Sequence, residues 1–164
     1  MILVAIGANL PDAAGRTALG TCRWAASALD ALPGLRVQGL SRWYASRPVP
    51  EADQPDYVNG VAHLVGQSMP LALLKALHRI EERAGRVRGA PNAARTLDLD
   101  LIAHLDLVLT GPELVLPHPR AHLRPFVLAP LHDVAPGWRH PTLGASAAEL
   151  LAAARSDSLR VIGG

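Results

Sequence analysis

The sequence predicts an α+β domain on three observations. Strand-like and helix-like segments alternate in the order βαββαβ. Their apolar residues follow the two-residue and the helical period in turn, and nothing in the composition divides the chain. With 164 residues, 49% of them apolar, the chain is long enough to bury most of its apolar surface. It shows no period of repeat-protein length and no linker rich in Pro, Gly or Ser, so residues 1–164 are expected to form one three-layer domain.

Ile2 to Ile6 is an unbroken apolar run, as expected of a central strand covered on both faces, with Gly7 as its end. Asp12 is the expected N-cap of a first helix over Ala13 to Leu32, which is rich in Ala and Leu and stops at Pro33 and Gly34. β-Branched and aromatic residues predict a strand over Leu35 to Ala45 and, after a Pro-rich connector, another over Tyr57 to Val65. Ser68 is the expected cap of a second helix with Pro70 in its first turn. Leu73, Leu77, Ile80 and Ala84 mark one face of that helix, and Gly85 stops it. Leu97 to Ile102 reads as a strand with Leu97, Leu99 and Leu101 on one side. This order is that of the ferredoxin-like βαββαβ unit. A C-terminal hairpin (Leu107 to Leu109 and Leu114 to Leu116), a helix near Pro125 to Val134, another near Ala145 to Ala153 and a terminal segment Leu159 to Ile162 are expected in addition.

Composition narrows the setting. The opening apolar run is short and follows no basic segment, and no stretch approaches the ~18 consecutive apolar residues of a membrane helix. Cys22 is the only cysteine, so no internal disulfide and no cysteine-rich metal site can form, and a cytoplasmic protein without membrane partners is expected. The formal net charge is only +2, but Arg79, Arg83, Arg86, Arg88 and Arg95 share one short window while Lys75 is the only lysine. Such clustering predicts an anionic partner.

The segment Arg95-Thr96-Leu97-Asp98-Leu99-Asp100 is the most informative. An alternating strand puts Asp98 and Asp100 on one face, ~6.6 Å apart along the chain. Hard oxygen ligands so placed suit Mg²⁺ shared between carboxylates and substrate phosphates, and they suit a pair of ions. Arginines nearby can clamp a polyphosphate through bidentate hydrogen bonds, which explains both signs of charge in one region. A third cluster, Pro117-His118-Pro119-Arg120 followed by His122, Arg124 and Phe126, mixes phosphate donors with an aromatic ring. His118 can serve there as a hydrogen-bond donor to phosphate or as a proton carrier. In the strand from Tyr57, period two places Tyr57 and Asn59 on one surface, an arrangement suited to a flat heterocycle. No Walker loop, dinucleotide fingerprint, nucleophile elbow or His-Glu-x-x-His motif is present, so a nucleotide site here is of another kind.

With these segments in hand, the chain resembles the 6-hydroxymethyl-7,8-dihydropterin pyrophosphokinase family from end to end. The resemblance is carried in order by Val4-Ala5-Ile6-Gly7-Ala8-Asn9-Leu10, Asp53-Gln54-Pro55-Asp56-Tyr57-Val58-Asn59, Arg79-Ile80-Glu81, Gly85-Arg86-Val87-Arg88, Arg95-Thr96-Leu97-Asp98-Leu99-Asp100 and Leu116-Pro117-His118. It implies transfer of pyrophosphate from ATP to the pterin alcohol, with attack on the β-phosphorus and AMP as leaving group. It implies that Asp98 and Asp100 bind two Mg²⁺ ions, and that Arg88, Arg95, His118 and Arg124 line the phosphates. Arg86 would belong to the catalytic loop, and His78 and Glu81 would face the nucleotide. Tyr57, Asn59 and Phe126 would hold the pterin, with Ser46, Pro48 and Val49 near its rim. A monomer is expected. The loop Asn92-Ala93-Ala94-Arg95 lacks the Trp common in this family. Two other readings compete. A non-catalytic paralogue would bind pterin or nucleotide without turnover. A nucleic-acid-binding ferredoxin-like domain is disfavoured because Phe126 is the only Phe and no strand carries the aromatics that stack bases.

Overall fold

The computed structural model describes residues 1–47, 55–85, 96–154 and 158–164. Its central element is β1 (Ile2–Ala8), every residue of which is buried. On one side β1 pairs with β4 (Tyr57–Gly66) and on the other with β5 (Asp98–His104), both antiparallel. β2 (Leu35–Leu40) and β3 (Trp43–Ser46) both lie along β4, and β8 (Arg160–Gly163) pairs with β3 to complete a six-stranded sheet of order β5-β1-β4-β3-β8. A short hairpin of β6 (Leu109–Thr110) and β7 (Val115–Leu116) stands apart from it.

Helices cover both faces, so the molecule is a single mixed α/β domain with three layers. Beneath α1 (Ala18–Asp30) and α2 (Pro70–Arg83), Ile2, Val4, Ile6 and Ala8 pack with Leu73, Leu77, Ile80, Leu97, Leu99 and Leu101. Beneath α3 (Pro125–Val134) and α4 (Ala147–Ala153), Leu3, Ala5, Val61 and Ile102 pack with Val127, Leu128 and Leu131. Alternation in the strands supplies both cores from the same segments. A capping box starts α4: Ser146 Oγ accepts from the Glu149 amide while the Glu149 carboxylate accepts from the Ser146 amide.

Several local expectations are corrected. Gly7 does not end β1, which continues to Ala8 because Ala8 is still paired with Val58 of β4. The first helix begins at Ala18 with Thr17 as its cap, its Oγ1 accepting from the Gly20 amide at 3.1 Å. Asp12 instead closes a turn, where Oδ1 accepts from the amides of Ala14 and Arg16 and Oδ2 pairs with Arg16 Nε at 2.6 Å. Gly15 follows at φ +79°, a left-handed conformation that no helix residue adopts. The strand expected over Leu35 to Ala45 is two strands, broken where Ser41 Oγ accepts from the Val61 amide and donates to the Arg42 carbonyl. Met69, and not Ser68, is the N-cap of α2, and it makes no side-chain cap bond; Ser68 Oγ donates to the Met69 carbonyl instead. The hairpin strands are shorter than expected, and β5 starts one residue later and ends two residues later than expected.

Candidate active site

Register assembles the site. Gly7 of β1 stands opposite Asp98 of β5 on one side and Asn59 of β4 on the other, and Asn59 stands opposite Tyr44 of β3. Directly opposed residues in antiparallel strands share a face, so Asp98, Gly7, Asn59 and Tyr44 form one row across the sheet on the side covered by α3. Asp100 sits opposite Ala5 in the next row of that face. Gly7 is the gap in the row: a Cβ added there would lie 2.8 Å from Asn59 Oδ1. The Asn59 amide therefore lies over the glycine, buried, with Nδ2 3.4 Å from Ser46 Oγ. The segment leading into β4 is tied to the same end of β1, since Asn9 Nδ2 donates to the Pro55 carbonyl at 3.3 Å.

Two adjoining cavities open beside the carboxylates. One, of about 290 Å³, is lined by Asp98, Asp100, His118, Pro119, Arg120 and Arg124. The other, of about 380 Å³, shares Asp98, Asp100, His118 and Pro119 with the first and extends between α2 and the hairpin, where Leu74, His78, Leu114 and Val115 contribute its walls. The first is a charged space; the second sets leucine and valine side chains beside His78, Glu81 and Glu113.

The His118 segment is fixed by main-chain bonds. Its amide donates to the Ile102 carbonyl of β5 at 2.9 Å, which docks the segment beside the carboxylate strand. His118 Nδ1 accepts from the Arg120 amide at 3.1 Å, so in the neutral ring the proton sits on Nε2. Burial and the charge of Arg124, opposed by Asp98 and reinforced by Arg120, push the His118 pKa down to about 4. A neutral donor near pH 7 follows, which favours the hydrogen-bonding role of His118 over proton carriage. Behind it, Arg124 lies over the Phe126 ring at 5.7 Å from the centroid, joining a phosphate candidate to a pterin candidate at the start of α3.

Glu81 is buried, and its Oε2 accepts from the Leu99 amide at 2.8 Å. Expected to face the nucleotide, it lines the second cavity and at the same time braces the strand between the two aspartates. His78, one turn earlier on α2, lines that cavity too. Tyr57 begins β4 and is half-buried, two residues from Asn59 on the same face. Ser46 is buried at the end of β3. Pro48, Val49, Arg86, Arg88 and Arg95, with the Trp-less loop, lie outside the described residues. Arg83 is set away from the carboxylates: its guanidinium stacks 5.2 Å from the Trp24 centroid, beside Arg16 at 4.5 Å.

Several site residues escape a reading of the sequence. Gly7 reads locally as a strand end, and Tyr44 reads as an ordinary strand aromatic. Only the register of three strands reveals that both border Asn59. Leu74, Leu114 and Val115 read as core and hairpin. The aspartate pair itself supplies too few ligands for a closed protein cage, and among the described residues no group of three or more His, Cys, Asp or Glu is placed to hold a metal. Two half-exposed carboxylates on one cavity wall do fit Mg²⁺, which keeps waters and is completed by substrate phosphates.

Comparison with known proteins gives this geometry a family. Residues 3–136 match the model of the family described as 7,8-dihydro-6-hydroxymethylpterin-pyrophosphokinase. The 2-amino-4-hydroxy-6-hydroxymethyldihydropteridine pyrophosphokinase of Pseudomonas aeruginosa is 40% identical over 163 residues, 99% of this chain and 97% of the relative. The protein of the same name from Synechocystis is 38% identical over 149 residues, covering 91% and 73% of the two chains. Crystal structures of Plasmodium falciparum HPPK-DHPS, in the wild type alone and with pteroate, share the fold at TM-scores of 0.68 and 0.66, with 12% and 13% sequence identity. Those matches cover 93% of this chain but only 44% and 42% of the Plasmodium chains. The family match spans both rows of the site and the His118 segment, and on that ground the chain belongs to the 7,8-dihydro-6-hydroxymethylpterin-pyrophosphokinase family.

Proposed function

We propose that this chain transfers pyrophosphate from ATP to 6-hydroxymethyl-7,8-dihydropterin, releasing AMP and the pterin diphosphate used in folate biosynthesis. The observation that carries the reading is the row Asp98, Gly7, Asn59, which sets a metal-type carboxylate and a buried amide on either side of a side-chain gap. The family and its named relatives supply the reaction; the row supplies a place for it.

The pterin lies on the α3 side, with Asn59 hydrogen-bonding to its edge and Tyr57 and Phe126 against its ring. Ser46, Pro48 and Val49 border it. The nucleoside takes the cavity walled by Leu74, His78, Leu114 and Val115, and its phosphates reach the charged cavity beside Asp98 and Asp100. Two Mg²⁺ ions held by those aspartates would neutralise phosphate charge and align the β-phosphorus for attack. His118 donates from Nε2, Arg124 adds a fixed positive charge, and Arg86, Arg88 and Arg95 complete the clamp. The pterin hydroxymethyl oxygen forms the new bond to the β-phosphorus as the bond between that phosphorus and the α,β-bridging oxygen breaks. Positioning and electrostatics suffice, and no protein nucleophile is needed.

The strand order, with β1 between β4 and β5 and a helix in each crossover, supports the ferredoxin-like reading of the core, to which β8 and the C-terminal helices are additions. We read residues 1–164 as one monomeric cytoplasmic domain. Among the described residues no helix is long and apolar enough to cross a membrane. Incubation with ATP, Mg²⁺ and the pterin alcohol should yield AMP and the pterin diphosphate. ADP as the nucleotide product, or pterin binding without any product, would refute the reading; the second result would identify a non-catalytic paralogue.

A further inference from the structure

One charged group of the first cavity, Arg120, is given no part in the reaction proposed for this chain. Arg120 lines that cavity with Asp98, Asp100, His118 and Arg124, and it is exposed on the cavity side of the segment that follows His118. Its positive charge reaches the His118 ring, where it helps to disfavour protonation, so the guanidinium is electrostatically inside the site and not merely near it. No ion pair is recorded for Arg120 among the described residues, whereas Arg16, Arg42, Arg139 and Arg160 are each paired with a carboxylate. Its backbone is engaged: the amide donates to His118 Nδ1 and the carbonyl accepts from the Leu123 amide at 3.0 Å. The main chain is held while the side chain is available to a ligand.

We infer that Arg120 is a phosphate-binding residue of this enzyme, and that it acts in two separable ways. Through its amide it fixes His118 as an Nε2–H donor. Through its guanidinium it binds the pyrophosphoryl portion of ATP in the cavity it lines with the carboxylates, where a planar fork matches phosphate oxygens in pairs. This rests on the proposed nucleotide placement but extends it, because the charged wall then consists of Arg120 and Arg124 flanking a neutral His118.

Substitution separates the two actions, since the amide survives every side-chain change except to Pro. Binding of a non-hydrolysable ATP analogue with Mg²⁺, measured by calorimetry, should weaken about tenfold in Arg120→Ala, the usual loss for one charge-assisted hydrogen-bonding group. Arg120→Lys should recover part of that loss, and Arg120→Glu should lose more than Arg120→Ala. The His118 ring nitrogens, followed by nitrogen NMR, should keep the Nε2–H tautomer in all three. Wild-type affinity in Arg120→Ala overturns the inference. Weakened binding accompanied by a changed His118 tautomer also overturns it, because the effect would then come from a displaced imidazole. Analogue binding does not require turnover, so these results stand apart from the AMP assay that tests the reaction.

Discussion

The two faces of the sheet are built from the same strands yet have different tasks. Under α1 and α2, β1 and β5 present Ile2, Val4, Ile6, Leu99 and Leu101, all buried, in an apolar layer that includes Leu73 and Leu77 of α2. Under α3 the same strands present Leu3, Ala5 and Ile102 at one end and give way at the other to Asp98, Asp100 and Gly7, beside Asn59 of β4. A step of one residue along β5, from Asp98 to Leu99 to Asp100, crosses from site to core and back. The comparison teaches that apolar packing and the proposed site are divided by side-chain direction and not by position in the chain.

The sharpest way to break that comparison is to exchange the roles of adjacent residues. Asp98→Ala and Asp100→Ala remove half-exposed carboxylates from the cavity wall. AMP formation should fall on the order of a hundredfold or more, with the urea unfolding midpoint little changed. Leu99→Ala removes a side chain that is 3% exposed and should cost about 2–5 kcal/mol of stability. The fraction that remains folded should still turn over substrate. Equal losses of stability in all three variants, or near-normal turnover in either aspartate variant at limiting Mg²⁺, would dissolve the division between faces.

A subtler change tests the gap in the row. In Gly7→Ala the new methyl would stand 2.8 Å from Asn59 Oδ1, and the side chain that must yield is the one assigned to the pterin edge. Pterin affinity should fall about tenfold, as for one misplaced hydrogen-bonding group, while binding of an ATP analogue changes far less. Equal weakening of both ligands would show that Asn59 does not separate the two halves of the site.

How much of this was legible in the sequence follows from the range of the interactions involved. The aspartates were legible because their alternation with leucines is local and two-residue periodicity alone puts them on one face. The helix over Pro125 to Val134 was legible more faintly, from an apolar run and a Pro at the first position, with Pro130 inside the same run. Gly7 and Tyr44 were not, because their part in the site arises from pairing with residues 52 and 15 positions away along the chain, Gly7 with Asn59 and Tyr44 with Asn59. Asp12 misled for a different reason: an aspartate that caps a helix and one that closes a turn look alike, and only Gly15 separates the two outcomes. Arg83 shows the limit of counting charges, since a guanidinium stacked on Trp24 belongs to packing even inside an Arg-rich window.

The smallest expected effect lies on the α3 side, away from the carboxylates, and concerns how that helix is pinned to the sheet. Asp133 near the end of α3 accepts from Tyr44 Oη at 2.8 Å, and Arg42 Nη2 and Nε contact its two oxygens at 3.1 and 3.2 Å. Tyr44 is the neighbour of Asn59 in the row, so this pin joins α3, which carries Phe126, to the strand beside the pterin candidates. Burial opposes ionisation of Asp133, but the hydrogen bonds from Arg42 and Tyr44 outweigh it and hold the carboxyl below its ordinary value. A carboxyl with a lowered folded-state pKa stabilises the protein above the unfolded value, about 3.9, and that contribution is lost as pH falls through the folded value. Asp133→Asn has no charge to lose at this site, and the other carboxyls titrate in both proteins. The wild type should therefore exceed Asp133→Asn in unfolding free energy at pH 7, and the gap should narrow as pH falls below about 5, where the unfolded carboxyl begins to bind its proton, and close as pH passes through the folded value. Urea unfolding of both proteins at pH 7 and pH 3 measures the gap directly; a gap unchanged between them would show that the pin does not depend on the charge of Asp133.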